Sequence, residues 1–516
     1  MVKFTFVAFL RSVQAGLGLM DTFLTDLVRE ALALGRFDRS LVEALDRDIE
    51  MAARGEKKVR LMDWQFEYEK RNPISPLLDP PVPADFDWME SSELTLYSGR
   101  PRSIDGELLL VLLSVNSVLD LSSVPGWERL IESEVFGALF EARGGKRPAR
   151  TTVDRYLKIV SSQSQQRIDE AVYCRAKAEG LDDFAEVTVD STAVEANSAW
   201  PTDSLLIWGF LRRTCGFLAR QAKLTGVDCK SAVVERWLEA LERLHKEISL
   251  LPSRPGSVKA RRQLYRKLLR VAGRTHEKLR ALLDDKRDSI ADCSITPGYR
   301  LRVDAIMAEV ARSMEGASKV MAAAQVRVLE GGKVAACDRA FSLADPDAWM
   351  IEKGGRDPVL GYKPQIARSA NGFITAFEVL PGNPADSTRL VEMTAAHIRN
   401  TGVTPSLVST DDGYSAQSTL DGLDSLGVET VSFGGAKGRE LLGDELWEST
   451  AGIRSDRSAV ESTIFTLKHK CGMRRFCRRG IEGVGRDLSE AVLTYNLWRL
   501  AWCRRQKHAE QTAVAA

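Results

Sequence analysis

Asp456-Arg457-Ser458-Ala459-Val460-Glu461-Ser462-Thr463-Ile464-Phe465-Thr466-Leu467-Lys468 reads as the start of a helix. Ser455 or Asp456 is placed to cap its first N–H groups. Val460, Ile464, Leu467 and Cys471 recur at helical spacing and form an apolar stripe. Beside it stand Arg457, Glu461 and Lys468, at steps of four and seven residues, so a guanidinium, a carboxylate and an ammonium share one face. In isolation such a face is a solvated one, held by salt bridges between neighbouring turns. Partners for Glu461 from elsewhere in the chain decide whether it is more.

At about 100–200 residues per domain, a chain of 516 residues implies roughly two to four domains. Hydrophobic residues make up 44% and charged ones 28%, which is ordinary for a soluble globular protein with an ample core. The net charge is +1, so a nucleic-acid site has to come from local clustering. Eight cysteines are scattered and none forms a C-x-x-C pair, which argues against structural zinc and for reduced thiols in the cytoplasm. The apolar run Phe4–Leu10 is broken by Arg11 and is too short for a signal-peptide core, and no run is long enough to span a membrane.

Along the chain, residues 1–60 look helical, with Leu17, Met20, Leu24 and Leu27 in phase. A Pro-, Asp- and Ser-rich connection follows over 72–102. An apolar helix over Leu108–Leu119 leads to a basic turn containing Lys146 and Arg147, then to a helix carrying Val153, Tyr156, Leu157 and Val160. This is either a helix-turn-helix-like DNA contact or a surface turn between core helices. Around Asp190, the residues Phe184, Val187, Val189 and Val194 read as a strand, and an acid inside such a run is unusual. Residues 201–330 return to helix, with a coiled-coil-like seam through Val234, Trp237, Leu241, Leu244, Ile248 and Leu251. Leu264, Leu268, Val271, Leu279 and Leu282 offer it a partner. Between Arg254 and Arg280 stand ten Lys/Arg, among them Arg261, Arg262, Arg266 and Lys267, against the single acid Glu277. Such a face suits salt-dependent contact with phosphates, or is a solubilising surface balanced by neighbouring helices. Strand signals resume near residue 334. Asp357–Arg368 and Phe373–Leu380 flank Asn371-Gly372, a hairpin signal. A helix over Pro384–Asn400, a strand over Ser406–Thr410 ending in Asp411-Asp412-Gly413-Tyr414, a helix, a strand over Val428–Phe433 and a Gly434–Gly438 loop precede the Glu461 helix. A helix near Leu488–Arg504 and a frayed tail of small residues close the chain.

With the helical block set aside, the order is strand with Asp190, two hairpin strands, helix, strand with Asp411, helix, strand, helix with Glu461. That is the element order of a ribonuclease H-like α/β fold, a mixed sheet with flanking helices. In it the ends of the first and fourth strands and a late helix meet at one edge. Carboxylates there suit two divalent cations about 3.5–4 Å apart, which activate an attacking oxygen and stabilise a leaving one in phosphoryl transfer. Mg2+ is the natural ion for such oxygen ligands.

These motifs resemble the DDE transposases of bacterial insertion sequences. The resemblance is carried by Val189-Asp190-Ser191-Thr192, Asp411-Asp412-Gly413-Tyr414 and the Arg457, Glu461, Lys468 helix, the last similar to the family's YREK signature. The signature's tyrosine is missing: Arg454 occupies its place. The resemblance implies Asp190, Asp411 and Glu461 as the catalytic, metal-binding triad for two Mg2+ ions, with Mn2+ as a substitute. It favours Asp411 over Asp412 because the family's acid stands three residues before the tyrosine, here Tyr414. Arg457 and Lys468 would hold phosphates, and Lys470, Arg474, Arg475, Arg478 and Arg479 would extend that edge along DNA. Glu195 and Asp203 are either auxiliary acids or surface ones. Trp200 and Trp208 either stack on an unpaired base or pack the helical block. His469 reads as a surface residue.

The expected organisation is therefore a helical region and linker over 1–102, a helical and possible DNA-binding domain over 103–183, a catalytic domain split into 184–200 and 331–505, a helical insertion over 201–330, and a tail over 506–516. The expected function is a transposase, an endonuclease and strand-transfer enzyme acting on an element's terminal inverted repeats and on target DNA. It would work as a DNA-assembled homodimer in the bacterial cytoplasm at the nucleoid, away from membranes. The alternatives are a ribonuclease H-like nuclease without joining activity and a non-enzymatic DNA-binding protein.

Overall fold

The structure is a computed structural model that describes residues 19–72, 103–252, 254–352 and 357–515, with backbone alone at 19–21, 455–456 and 514–515. Leu17 and the proline-rich connection from residue 73 to 102 lie outside the described residues. The described residues fall into two compact units, one within Met1–Ala53, Leu96–Asn197 and Asp347–Ala516, the other within Arg54–Thr95 and Ser198–Pro346.

The first unit is mixed α/β. Its central strand, β1 (Glu186–Ser191), buries Val187, Val189 and Ser191 and leaves Thr188 and Asp190 half-buried on the other side, the alternation of a pleated strand. The hairpin and the two α/β repeats read from the sequence become β5 (Gln365–Ser369), β6 (Ile374–Glu378), β7 (Leu407–Thr410) and β8 (Thr430–Phe433), in the order β6-β5-β1-β7-β8. β5 is antiparallel to β1 and β6, while β7 and β8 run parallel to β1. Gly372 sits at φ +89° in the β5–β6 turn, as the Asn-Gly signal requires. The expected strand over Asp357–Arg368 is two. β4 (Val359–Tyr362) leaves the main sheet and pairs with β2 (Val194–Glu195) and β3 (Trp349–Ile351) in a small second sheet. Strand structure thus resumes at Trp349 rather than near 334.

Helices complete this unit. Leu19–Phe37, the first half of Arg39–Arg71, Gly106–Leu119 and Gly480–Ala515 share one apolar core with Phe136, Phe140, Tyr173 and Phe184. Residues 435–442, read as part of a glycine loop, are helical: a Cβ at Gly438 would come within 2.4 Å of the Phe433 Cβ, so that glycine lets the helix lie close on β8. The last helix continues to Ala515, where a frayed tail was expected.

The second unit is helical, built from Asp203–Thr225, Ala232–Leu250, Val258–Ala291 and Pro297–Ala324, the last running into a π-helical turn at Gln325–Glu330. The seam residues Val234, Leu241 and Ile248, seven apart, are buried against Leu268 and Leu279. Thr202 and Thr296 cap the first and last of these helices through their hydroxyls. Among the described residues no helix is long and apolar enough to cross a membrane, and the eight cysteines are free thiols.

Candidate active site

Register brings the first two acids together. Val189 stands opposite Thr410 in the parallel β1–β7 pair, so the next residue on each strand is an aspartate, Asp190 and Asp411. Adjacent strands lie about 4.8 Å apart, which makes these two carboxylates neighbours at the C-terminal ends of parallel strands, where open α/β sheets place their ligands. Local hydrogen bonds fix both: the Ser191 N–H donates to Asp190 Oδ1 at 2.7 Å and the Gly413 N–H to Asp411 Oδ1 at 3.0 Å.

Glu461 arrives on the helix Ser458–Lys470. Val460, Thr463 and Leu467 form its buried face, and Cys471 follows them into the core. The Thr463 hydroxyl meets the Tyr495 hydroxyl at 3.1 Å and accepts from Arg368 Nε at 3.0 Å, which ties the helix to the last helix and to β5. Ile464, expected in the apolar stripe, instead lines the open side with Glu461. The helix starts at Ser458, after a break at Arg457 that follows a short helix over Ala451–Asp456. Ser455 and Asp456 therefore belong to that preceding helix, and their capping side chains lie outside the described residues.

Asp190, Asp411 and Glu461 line one cavity of about 580 Å³, together with Ser191, Thr192, Ala193, Ile351, Asp357, Val359, Arg457, Ile464, Phe465, Lys468 and His469. Among the described residues no three Asp, Glu, His or Cys side chains form a ready-made metal cluster. The three acids face a shared space rather than a closed cage. As a donor set of carboxylate oxygens beside two cations they suit a hard divalent ion, which takes the rest of its shell from water or substrate.

Asp412 has different work. Its Oδ1 accepts from the Gly438 N–H at 2.9 Å, inside the helix Gly435–Leu442. Gly435 stands at φ +77°, and a Cβ there would come within 2.5 Å of the Asp412 carboxyl carbon. Arg454, in the place of the family's tyrosine, lies 3.7 Å over the Trp447 ring and donates to Thr450 Oγ1 at 2.8 Å, outside the cavity.

A buried hydrogen-bonded chain underlies the acids. The Tyr414 hydroxyl donates to Gln365 Oε1, Gln365 Nε2 donates to Asp386 Oδ1 at 2.7 Å, and Lys363 Nζ pairs with Asp386 at 2.9 Å. Burial pushes the Tyr414 hydroxyl well above the usual phenol range, and the charges of Asp386, Asp190 and Asp411 push the same way. Tyr414 is therefore a neutral donor. From the sequence it was only a motif marker. Gln365, Asp386 and Lys363 gave no signal there, because their partners come from distant segments.

The remaining residues divide. Lys468 Nζ donates to the Ala193 carbonyl at 2.8 Å, Arg475 Nε to Ala196 at 3.2 Å and Arg479 Nε to Asn197 at 3.0 Å, so these cations hold the segment that follows β1. Lys470 lies 5.6 Å over Trp498, and Arg474 is exposed. Arg478, expected on a DNA-facing edge, instead pairs with Asp487 and the buried Glu490. Glu195 is exposed on β2 and is not part of the cavity lining. The additional acid in that lining is Asp357, which was read only as the start of a strand. Lys146 and Arg147 are exposed in the turn before the helix Arg150–Leu157.

In the helical unit, Asp203 pairs with Arg327 at 3.0 Å. Burial raises its pKa and the Arg327 charge opposes the rise, so it is a structural acid there. Trp208 stacks on His245 with ring centroids 5.9 Å apart, and Trp200 is exposed. Arg261 donates to the Leu251 and Pro252 carbonyls and Arg262 to Val328, while Arg266 and Lys267 are exposed.

Residues 325–497 match the family model described as the transposase DDE domain. Over this segment the chain is similar to that domain, which bears out its resemblance to the DDE transposases. The match contains Asp411 and Glu461. Asp190 lies ahead of it, separated by the helical block. The chain matches no curated protein and no solved structure.

Proposed function

We propose that this chain is a transposase that cuts DNA at the ends of its element and joins those ends to target DNA by metal-dependent phosphoryl transfer. The observation that carries the reading is the convergence of Asp190, Asp411 and Glu461, from two parallel strand ends and a late helix, on a cavity that also holds Arg457 and Lys468. The sheet order, an antiparallel hairpin beside β1 and two parallel strands on its other side, supports a ribonuclease H-like domain.

Asp190, Asp411 and Glu461 would hold two divalent cations, Mg2+ or in its place Mn2+, which supply Lewis acidity and a readily deprotonated attacking water or hydroxyl. Arg457 and Lys468 present fixed positive charge to the phosphate and to the charge that develops on it. The Tyr414–Gln365–Asp386 chain ties the segment after β7 to β5, whose Gln365 pairs with Ser191 of β1, without adding negative charge from the phenol. Asp412 keeps the neighbouring helix in place and takes no part in the chemistry.

The test uses the full chain and the DNA that flanks its coding sequence, with Mg2+ or Mn2+. Asp190→Asn, Asp411→Asn and Glu461→Gln each lower nicking by more than about 100-fold while DNA binding survives, and Asp412→Asn stays close to wild type. Full nicking in a triad variant removes that residue from the site. Nicking without joining of pre-cut ends makes the chain a nuclease only. Salt-sensitive binding with no cleavage under any divalent ion makes it a DNA-binding protein.

A further inference from the structure

One part of the cavity wall is unaccounted for by metal or phosphate. Phe465 is 60% exposed, an unusual state for a phenylalanine on a well-packed helix. It follows Glu461 by one turn, and its ring lies against His469, with centroids 4.3 Å apart and planes inclined by 35°. Both rings line the cavity that holds the three acids. Along this face the order is Arg457, Glu461, Phe465, Lys468 and His469, so an aromatic pair lies between and beside groups suited to phosphates.

We propose that Phe465, backed by His469, is a stacking platform for an unpaired nucleobase next to the phosphate being cut. This rests on the reading of the cavity as a phosphoryl-transfer site. Four residues of helix rise separate Glu461 from Phe465 by about 6 Å, the order of distance between a backbone phosphate and the base it carries. Bases inside a duplex offer no face to a side chain, whereas a splayed base does, and every base has a π-face to stack. Charge complementarity selects the occupant: an exposed apolar ring flanked by Arg457 and Lys468 suits a polyanion with aromatic groups better than an apolar protein surface. The platform therefore favours a strand opened at the cut site and carries little sequence preference.

The test compares binding of the full chain, without divalent metal, to a 20-nucleotide oligo-dT and to an abasic strand with the same number of phosphates. Stacking on one platform is expected to favour the strand with bases at least about fivefold. Phe465→Ala loses most of that preference with affinity for the abasic strand unchanged, Phe465→Trp keeps it, and Trp200→Ala, at an exposed tryptophan of the other unit, leaves it intact. In the cleavage assay with Mg2+, Phe465→Ala slows cutting of duplex flanking DNA about tenfold, and an unpaired base at the cut site restores the rate. Absence of cleavage by the wild-type chain overturns the reading of the cavity. Cleavage by the wild type, with base preference unaltered in Phe465→Ala or lost in Trp200→Ala instead, overturns the platform alone.

Discussion

Four basic residues that follow Glu461 are tied into the sheet unit by hydrogen bonds or ion pairs, whereas most of those along the helix Val258–Ala291 are exposed. Lys468, Arg475 and Arg479 hold the carbonyls of Ala193, Ala196 and Asn197, and Arg478 is closed between Asp487 and Glu490. In the helical unit Arg261 and Arg262 tie down the first turns of the long helix, and Lys259, Arg266, Lys267, Arg270, Arg274, Lys278 and Arg280 are exposed. The difference teaches that a count of cations locates a charged surface but not its use. The shorter run does structural work around the site. The longer one keeps its charge at the surface, where it can meet phosphates and where salt screens it.

The contrast breaks most sharply at Arg478. Burial lowers its pKa, but the paired Glu490 and Asp487 outweigh that and push it beyond the usual arginine range. Arg478→Met strands the fully buried Glu490 without its cation and is expected to cost about 3–5 kcal/mol in denaturant unfolding, whereas Arg270→Met costs less than about 0.5 kcal/mol. Equal losses would erase the distinction between the two runs.

A buried acid of the sheet unit sharpens it from the other side. Burial raises Asp169 to about 8, with a smaller opposing effect from the neighbouring Gln165 side chain. Its folded pKa lies above its unfolded one, so the stability it contributes is complete below about pH 4 and is lost as pH rises toward 8. Asp169→Asn should flatten the dependence of melting temperature on pH between about 4 and 8 and raise the melting temperature at the alkaline end. An unchanged slope would mean that Asp169 ionises inside the fold with a counter-charge. The smallest effect belongs to the exposed run: replacing Arg266, Lys267 and Arg270 by Gln should leave stability within about 0.5 kcal/mol and lower the salt slope of DNA binding by about one per residue that meets a phosphate. An unchanged slope would make this face a solubilising surface.

Much of the sheet unit was legible in the sequence because its signals are local. Asp190 stood out as an acid within a β-branched run, Asn371-Gly372 marked the hairpin, and Asp411 and Glu461 sat at the ends of short, well-bounded elements. The hidden parts are those fixed by distant partners. Gly434–Gly438 reads as a loop by composition, yet the absence of side chains at Gly435 and Gly438 is what lets a helix start against Asp412 and Phe433. Ile464 fits the apolar stripe by spacing, but the 100° turn per residue leaves it at the edge that faces the cavity. Nothing near Tyr414 in the chain announces Gln365, and nothing near Lys468 announces the carbonyl of Ala193.

The central place of β1 has a consequence for how the protein is made. β1 leaves the ribosome long before either neighbour in the sheet, since β5 begins at Gln365 and β7 at Leu407. The intervening helices fold through contacts close in sequence, so they can settle while β1 waits. Glu461 follows Asp190 by 271 positions (461 − 190), roughly 14–54 s of synthesis at about 5–20 residues per second. A nascent chain therefore carries Asp190 without Glu461 for about half of its synthesis. The cavity that the three acids line is completed only after Glu461 has been made.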